Sequence, residues 1–483
     1  MFSLPRVIFI ASGAHSVNAF TGPADQCRQD SQWQWPIAAG CPVMVNCTAP
    51  QKQRPSYDLS RVMASARERT GASRQVRRTP RASVSQAGCV GERTIAFPFV
   101  DDSDAMPFDL ETPALLLDEA RMQRNIHLMQ SRMNALGVRL RPHVKTSKCP
   151  EVVKRQLATG AHGITVSTLK EAERFFAEGI DDIFYAVAIA PGKFDHAMNL
   201  SVRGCRLTLL VESVDAAREL ARHGREHGHR HHVMIEIDTD GHRSGVHPEA
   251  PVLVEIAAAL HVQNGHGAHL VGVMTHAGSS YGLTDPDALA ALAEQERAGC
   301  VRAAERLRAA GHACERVSVG STPTALSARS LGGVTEVRAG VYVFFDLVMA
   351  GVGVCRRDDI ALSVLCSVIG HRADTGWLIT DGGWMAMSRD RGTQKQARDF
   401  GYGAVCDAAG DPIEALAFVD ANQEHGILQW TGSKAEDLAR RFPVGTQLRI
   451  LPNHACATGA QFDSYVVVAE RGPLGHWPRF SGW

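Results

Sequence analysis

Residues Val138–Lys148 read VRLRPHVKTSK, and this stretch decides the fold. It opens as a strand, Val138–Pro142, and passes straight into a loop. No glycine-rich turn follows it. An open doubly wound sheet with a dinucleotide site would carry one there. Upstream, Ala114–Leu117 reads as a lead-in strand, and Asp118 caps an amphipathic helix that runs to Leu136 and stops at Gly137. Downstream, short apolar runs recur at Gly163–Val166, Asp182–Val187, Arg206–Val211 and His232–Ile237. They continue at Leu270–Thr275, Arg316–Val319 and Glu336–Arg338. Helical patterns separate them, among them Thr168–Glu178, Val214–His227, Asp285–Ala310 and Thr322–Leu331. Alternation at this spacing predicts a parallel sheet, and eight such units predict a closed (β/α)8 barrel of the α/β class.

After about Arg356 the texture changes. Ile360–Ile369, Gly376–Thr380, Gln447–Leu451 and Tyr465–Ala469 are β-type runs without long helices between them. They predict a second, antiparallel β domain. The expected division is a barrel over 106–355 and a β domain over 356–483. Residues 1–105 differ from both. Residues 26–50 have no periodicity, and residues 64–85 are rich in Arg and Ser with little to bury. This segment is expected to be a disordered tail, a weak targeting segment, or an extension upstream of a start at Met106, the last being preferred.

Composition excludes several classes of function. The chain is 45% hydrophobic and 21% charged, and Lys+Arg balances Asp+Glu at 51 each. That balance offers no basis for nucleic acid or an anionic membrane as partner. No apolar run approaches the ~20 residues of a membrane span. The 12 cysteines are scattered without a CxxC pair, which points to a reducing compartment, the cytoplasm.

A barrel of this kind presents its chemistry on the loops after its strands. The first such loop holds Lys145, a lysine placed where it can form an imine with a carbonyl cofactor. Tyr185 stands at the third strand. The fifth loop carries Arg243, which can fix a phenolic oxygen or ring nitrogen of such a cofactor, and the sixth carries His276, which can stack on its ring or hydrogen-bond nearby. The seventh, Ser318–Thr324, combines Gly320 with the hydroxyls of Ser321 and Thr322 ahead of a helix, as a phosphate cradle does. Ser321 also suits a simple helix cap. The eighth holds Tyr342. In the tail, Pro452–Thr458 reads PNHACAT. If it is a strand, His454 and Cys456 share one face, and imidazole plus thiolate suits zinc or a similar divalent ion. Glu424 and His425 read either as supporting partners for that ion or as plain loop residues.

These segments together carry a resemblance. Residues from about Asp109 to Trp483 resemble the fold-type III pyridoxal phosphate enzymes of the D-serine dehydratase and D-threonine aldolase group. Arg141–Lys148, Ile237–Gly245, Thr275–Tyr281, Ser318–Thr324 and Pro452–Thr458 match its segments in order. The resemblance implies an alanine-racemase-like barrel with a β domain, paired in a homodimer. It implies Lys145 as the cofactor lysine, phosphate contacts from Tyr185 and Gly320–Thr322, and His454 and Cys456 as ligands of a divalent metal. It implies a small amino-acid substrate, a D-3-hydroxyamino acid such as 3-hydroxyaspartate or serine, converted to a 2-oxo acid and ammonia. The aldolases of the group carry a carboxylate where this chain has Cys456, which favours the dehydratase side. Arg141, Lys148, Arg389 and Arg391 are the cations expected to meet a second substrate carboxylate.

Overall fold

The computed structural model describes residues 108–433, 437–469 and 472–483. The expectations for residues 1–105 lie outside the described residues.

The predicted strands form, with ends shifted by a few residues. They are β1 (Ala114–Asp118), β2 (Arg139–Pro142), β3 (Ile164–Val166), β4 (Asp182–Ala188), β5 (Arg206–Val211) and β6 (Arg230–Glu236). Next come a short β7 (Val262–Gln263), β8 (His266–Met274), β9 (Arg316–Val319) and β10 (Glu336–Ala339). Eight of them pair in the order β2-β10-β9-β8-β6-β5-β4-β3. A parallel bridge from His143 to Thr165 joins the two ends, with the Val144 N–H donating to the Thr165 carbonyl at 2.9 Å. The sheet therefore closes into the expected barrel.

The barrel interior is filled by alternate residues of its strands. Phe184, Leu210, Met234 and Met274 form one apolar layer. A second layer is ionic. The Arg141 guanidinium, 1% exposed, reaches Asp182 at 2.8 Å and Glu336 at 3.0 Å. Glu336 also accepts from Ser318 at 2.8 Å, so four strands meet in one polar network. Removing one member of such a group leaves a buried charge unpaired, which costs several kcal/mol, roughly 3–5. Gly163 leaves room for it: with φ +62, a Cβ there would stand 2.3 Å from the Arg141 guanidinium.

The second sheet contains β11 (Leu362–Arg372), β12 (Trp377–Thr380), β13 (Ala404–Cys406), β14 (Pro412–Ala421) and β15 (Gly426–Trp430). It is completed by β16 (Gln447–Leu451), β17 (Ser464–Ala469) and β18 (Gly472–Pro478). Their order is β12-β15-β14-β13-β16-β11-β1-β17-β18, and β12 also pairs β11. The lead-in strand β1 thus belongs to this sheet and not to the barrel. It runs antiparallel to β11 and parallel to β17. The β domain is built from both ends of the described chain, so the division at 356 does not separate the two sheets. Among the described residues no helix is long and apolar enough to cross a membrane.

Candidate active site

Loops after the barrel strands and one turn of the β domain enclose a cavity of about 770 Å³. Lys145 lines it. Its side chain is exposed to this space, and no carboxylate lies within ion-pair distance among the described residues. Two imidazoles stand nearby. Burial, aided by the Lys145 charge, pushes His143 well below the usual histidine range, and its buried Nδ1 has no partner. Burial also pushes His276 down to about 4, although its Nδ1 is 3.0 Å from the Gly320 carbonyl. Because a carbonyl only accepts, that nitrogen carries the hydrogen.

The loop after β9 forms part of the wall. Gly320 has φ +125, and a Cβ there would stand 2.4 Å from the Arg338 carbonyl oxygen. Ser321 caps the helix Thr322–Ser327 in a capping box with Thr324, and its hydroxyl also lies 2.9 Å from that of Ser280. Ser321 therefore caps and lines the cavity at once. The Thr322 hydroxyl accepts from the Tyr342 N–H at 3.2 Å. Gly320→Ala is expected to cost about 1–3 kcal/mol from the strained backbone alone and to loosen the adjoining wall. Thermal denaturation would check it.

Two expected contacts are corrected. Tyr185 points out of the barrel, because Phe184 and Ala186 take the inward positions of β4. Its hydroxyl lies 3.1 Å from the Lys193 ammonium. Tyr342 is fully buried, and its hydroxyl accepts from Gln156 at 2.8 Å. Neither side chain lines the cavity. The cations expected for a second carboxylate are likewise placed elsewhere. Arg141 belongs to the ionic layer, Lys148 pairs with Glu171, Arg389 stacks on Trp384, and Arg391 pairs with Asp399. Arg243 and Arg338 line the wall instead. Arg338 is buried and donates to Ser318 and to the Thr275 carbonyl. Arg243 is more than half exposed, with Glu236 at 3.5 Å.

The β domain contributes His454 and Cys456. They do not lie on a strand. β16 ends at Leu451, His454 is the N-cap of the short helix Ala455–Gly459, and Cys456 lies within its first turn. The turn is anchored to the barrel. The Asp346 carboxylate caps the helix Leu347–Val352 through Met349 at 2.9 Å and also accepts from the Ala455 N–H at 3.0 Å. Cys456 Sγ is 3.2 Å from the Thr146 hydroxyl, one residue beyond Lys145. This contact brings the two halves of the site together.

The donor set fits a borderline divalent ion. Burial alone would raise the Cys456 thiol, but the His454 charge outweighs it, with help from Lys145, and the thiol falls below its ordinary range. Burial opposes the charge on His454, yet Cys456 and Asp390 together push it up to about 11. The Asp390 carboxylate lies 2.5 Å from His454 Nδ1. That leaves Nε2 toward the thiol, the orientation in which a carboxylate fixes a metal-binding histidine. Asp390 escapes sequence reading because it lies 64 residues from His454. Glu424 and His425 are exposed in the β14–β15 turn and have no contact with this pair. Asp390→Asn is expected to weaken metal binding about 10–100-fold. Competition with a chromophoric chelator would measure it, and an unchanged affinity would remove Asp390 from this role.

The cavity also suits a cofactor held by an imine. An unpaired lysine, two neutral imidazoles and a close backbone approach at Gly320 surround one space.

Two family models match successive parts of the chain. The alanine racemase N-terminal domain family matches residues 117–348, and the putative serine dehydratase domain family matches residues 361–468. The chain is 62% identical over 376 residues to D-threo-3-hydroxyaspartate dehydratase of Delftia sp. (strain HT23), covering 77% of this chain and 98% of that protein. A solved structure of a D-threo-3-hydroxyaspartate dehydratase, a cysteine-to-alanine mutant in the metal-free form, is 61% identical. It has a TM-score of 0.76 and covers 78% of this chain and 99% of that one. D-serine dehydratase of Dictyostelium discoideum is 29% identical over 379 residues, covering 74% of this chain and 94% of that protein.

Proposed function

The chain belongs to the family of the D-threo-3-hydroxyaspartate and D-serine dehydratases, and on that premise we propose a carbon–nitrogen lyase that releases ammonia from a D-3-hydroxyamino acid. The preferred substrate is D-threo-3-hydroxyaspartate, with oxaloacetate as the 2-oxo acid product. The observation that carries this reading is the meeting of Lys145 with the His454–Cys456 pair in one cavity.

Lys145 would hold pyridoxal phosphate, and His454 with Cys456 would hold a divalent metal. When bound, the cofactor supplies an electron sink and the metal a Lewis acid for a departing hydroxide. The rest falls to the chain itself. Lys145, which faces the cavity and is tied to no carboxylate, is placed to take the Cα proton as general base. His143 and His276 remain neutral, so they add no charge to compete with the substrate's ammonium group. Arg243, the more exposed guanidinium on the wall, meets an acidic group of the substrate. Asp390 keeps the His454 ring oriented, and Thr146 holds the Cys456 sulfur toward the cavity.

The test is a product assay with D-threo-3-hydroxyaspartate, D-serine and D-threonine side by side. Ammonia with a 2-oxo acid, fastest from hydroxyaspartate, is expected. Glycine with an aldehyde would instead mean retro-aldol cleavage and overturn the proposal.

A further inference from the structure

A second group of possible metal ligands lies outside the cavity. Residues 222–232 read RHGREHGHRHH, across the end of the helix Val214–Glu226 and the start of β6. His223 and His227 are four residues apart and so share one helix face. Asp195, in the first turn of the helix Phe194–Val202, faces them. One ligand atom from each of these three residues lies within 4.8 Å of the other two.

A hydrogen bond decides which nitrogen His227 presents. His227 Nδ1 is 2.9 Å from the His223 carbonyl, which only accepts. That nitrogen therefore carries the hydrogen and leaves Nε2 with the lone pair. His223 lies between two partners. Its Nδ1 is 3.1 Å from Nε2 of the buried His231, and its Nε2 is 2.9 Å from the Asp195 carboxylate. If Nδ1 donates to His231, a neutral His223 turns its Nε2 lone pair toward a carboxylate oxygen. In that tautomer two acceptors face each other and a cation between them is required. A proton is one solution. A metal ion is the other, and it also engages Nε2 of His227. In the other tautomer His223 Nε2–H donates to Asp195 and gives up that hydrogen when an ion binds. His231 then takes the place of the outer partner that fixes a ligating histidine.

We propose that Asp195, His223 and His227 form a second divalent-metal site, separate from the cavity. Two imidazoles and one carboxylate suit zinc, nickel or copper, with water in the remaining position. The Asp195 side chain is 78% exposed and that of His223 11%, so the ion arrives from solvent and settles against a buried ring. None of the three residues lines the cavity. The ion would join two helices of the barrel's outer layer and would stabilise the folded chain by binding only to it. Its role is stabilising, not catalytic.

Cobalt titration of the chelator-treated, full-length protein separates the two sites. The cavity site includes a thiolate and gives thiolate-to-cobalt charge transfer, whereas the second site has none. Wild type is expected to take two equivalents, with charge transfer complete after one and ligand-field absorption growing through both. His227→Ala and Asp195→Asn change exposed side chains and should each take one equivalent, with the charge-transfer band intact. Cys456→Ala should keep the band-free site, and zinc should still raise its melting temperature. In His227→Ala that part of the zinc-induced rise should be lost. Wild type taking one equivalent with the charge-transfer band present would overturn the proposal, as would His227→Ala still taking two. Loss of the charge-transfer band alone would instead count against the His454–Cys456 site.

Discussion

Lys145→Ala is expected to give a folded, colourless protein without ammonia-lyase activity. Lys145 lines the cavity without a carboxylate partner, and its replacement breaks no ion pair and opens no buried hole. The fold should therefore survive with an unchanged melting temperature. Wild type loaded with pyridoxal phosphate should absorb in the visible through its lysine linkage, and the variant should lose that band. Turnover should fall by at least the ~10²–10⁴-fold that a positioned general base contributes. Absorption spectra and ammonia release on the two proteins are the checks. A variant that keeps both the band and the activity would place the cofactor on another lysine.

The second large effect concerns the β domain. His454→Ala, Cys456→Ala and chelation of the wild type should all cut ammonia release steeply while leaving the visible band in place. Hydroxide is a poor leaving group, and loss of a Lewis acid removes several kcal/mol of transition-state stabilisation, where each ~1.4 kcal/mol is tenfold. The pair is anchored through Asp346 and Thr146, so replacing one ligand should not unfold the turn. Added metal should restore the chelated wild type and fail to restore either variant. Ammonia release that resists all three treatments would make the pair incidental.

The barrel was legible because each strand is a short apolar run bounded by a helical pattern, and eight repeats leave few alternatives. The β domain was less legible. Strands β13, β14, β15 and β18 were missed, and the longest of them, β14, reads Pro412–Ala421, with half-buried residues alternating and a register shift at Phe418–Asp420. A bulge of that kind breaks the period-two signal. The lead-in strand β1 was found, but an apolar run does not say which sheet will pair with it.

The site divides in the same way. Lys145, His454 and Cys456 stood out by residue type and local spacing, and the cavity brings them together. Even there, the reason given for His454 and Cys456 was a strand, and the structure makes a helix turn. Tyr185 was misplaced because one step in strand register reverses a side chain. Asp346 and Asp390 act across 109 and 64 residues of chain, and no local pattern marks a partner at that distance. Arg141 looked available for a substrate because its buried partners, Asp182 and Glu336, come from other strands.

In the proposed reaction Lys145 moves the Cα proton, and the His454–Cys456 site serves the departing hydroxyl. The most direct measurement follows D-threo-3-hydroxyaspartate by proton NMR in deuterated solvent with chelator-treated, pyridoxal phosphate-loaded enzyme. Ammonia is assayed in the same tube. The Cα proton is expected still to wash out while ammonia release nearly stops, and Lys145→Ala is expected to do neither. Cα exchange and ammonia release that fall together on chelation would contradict the proposed reaction, because the metal would then be needed for the proton step itself.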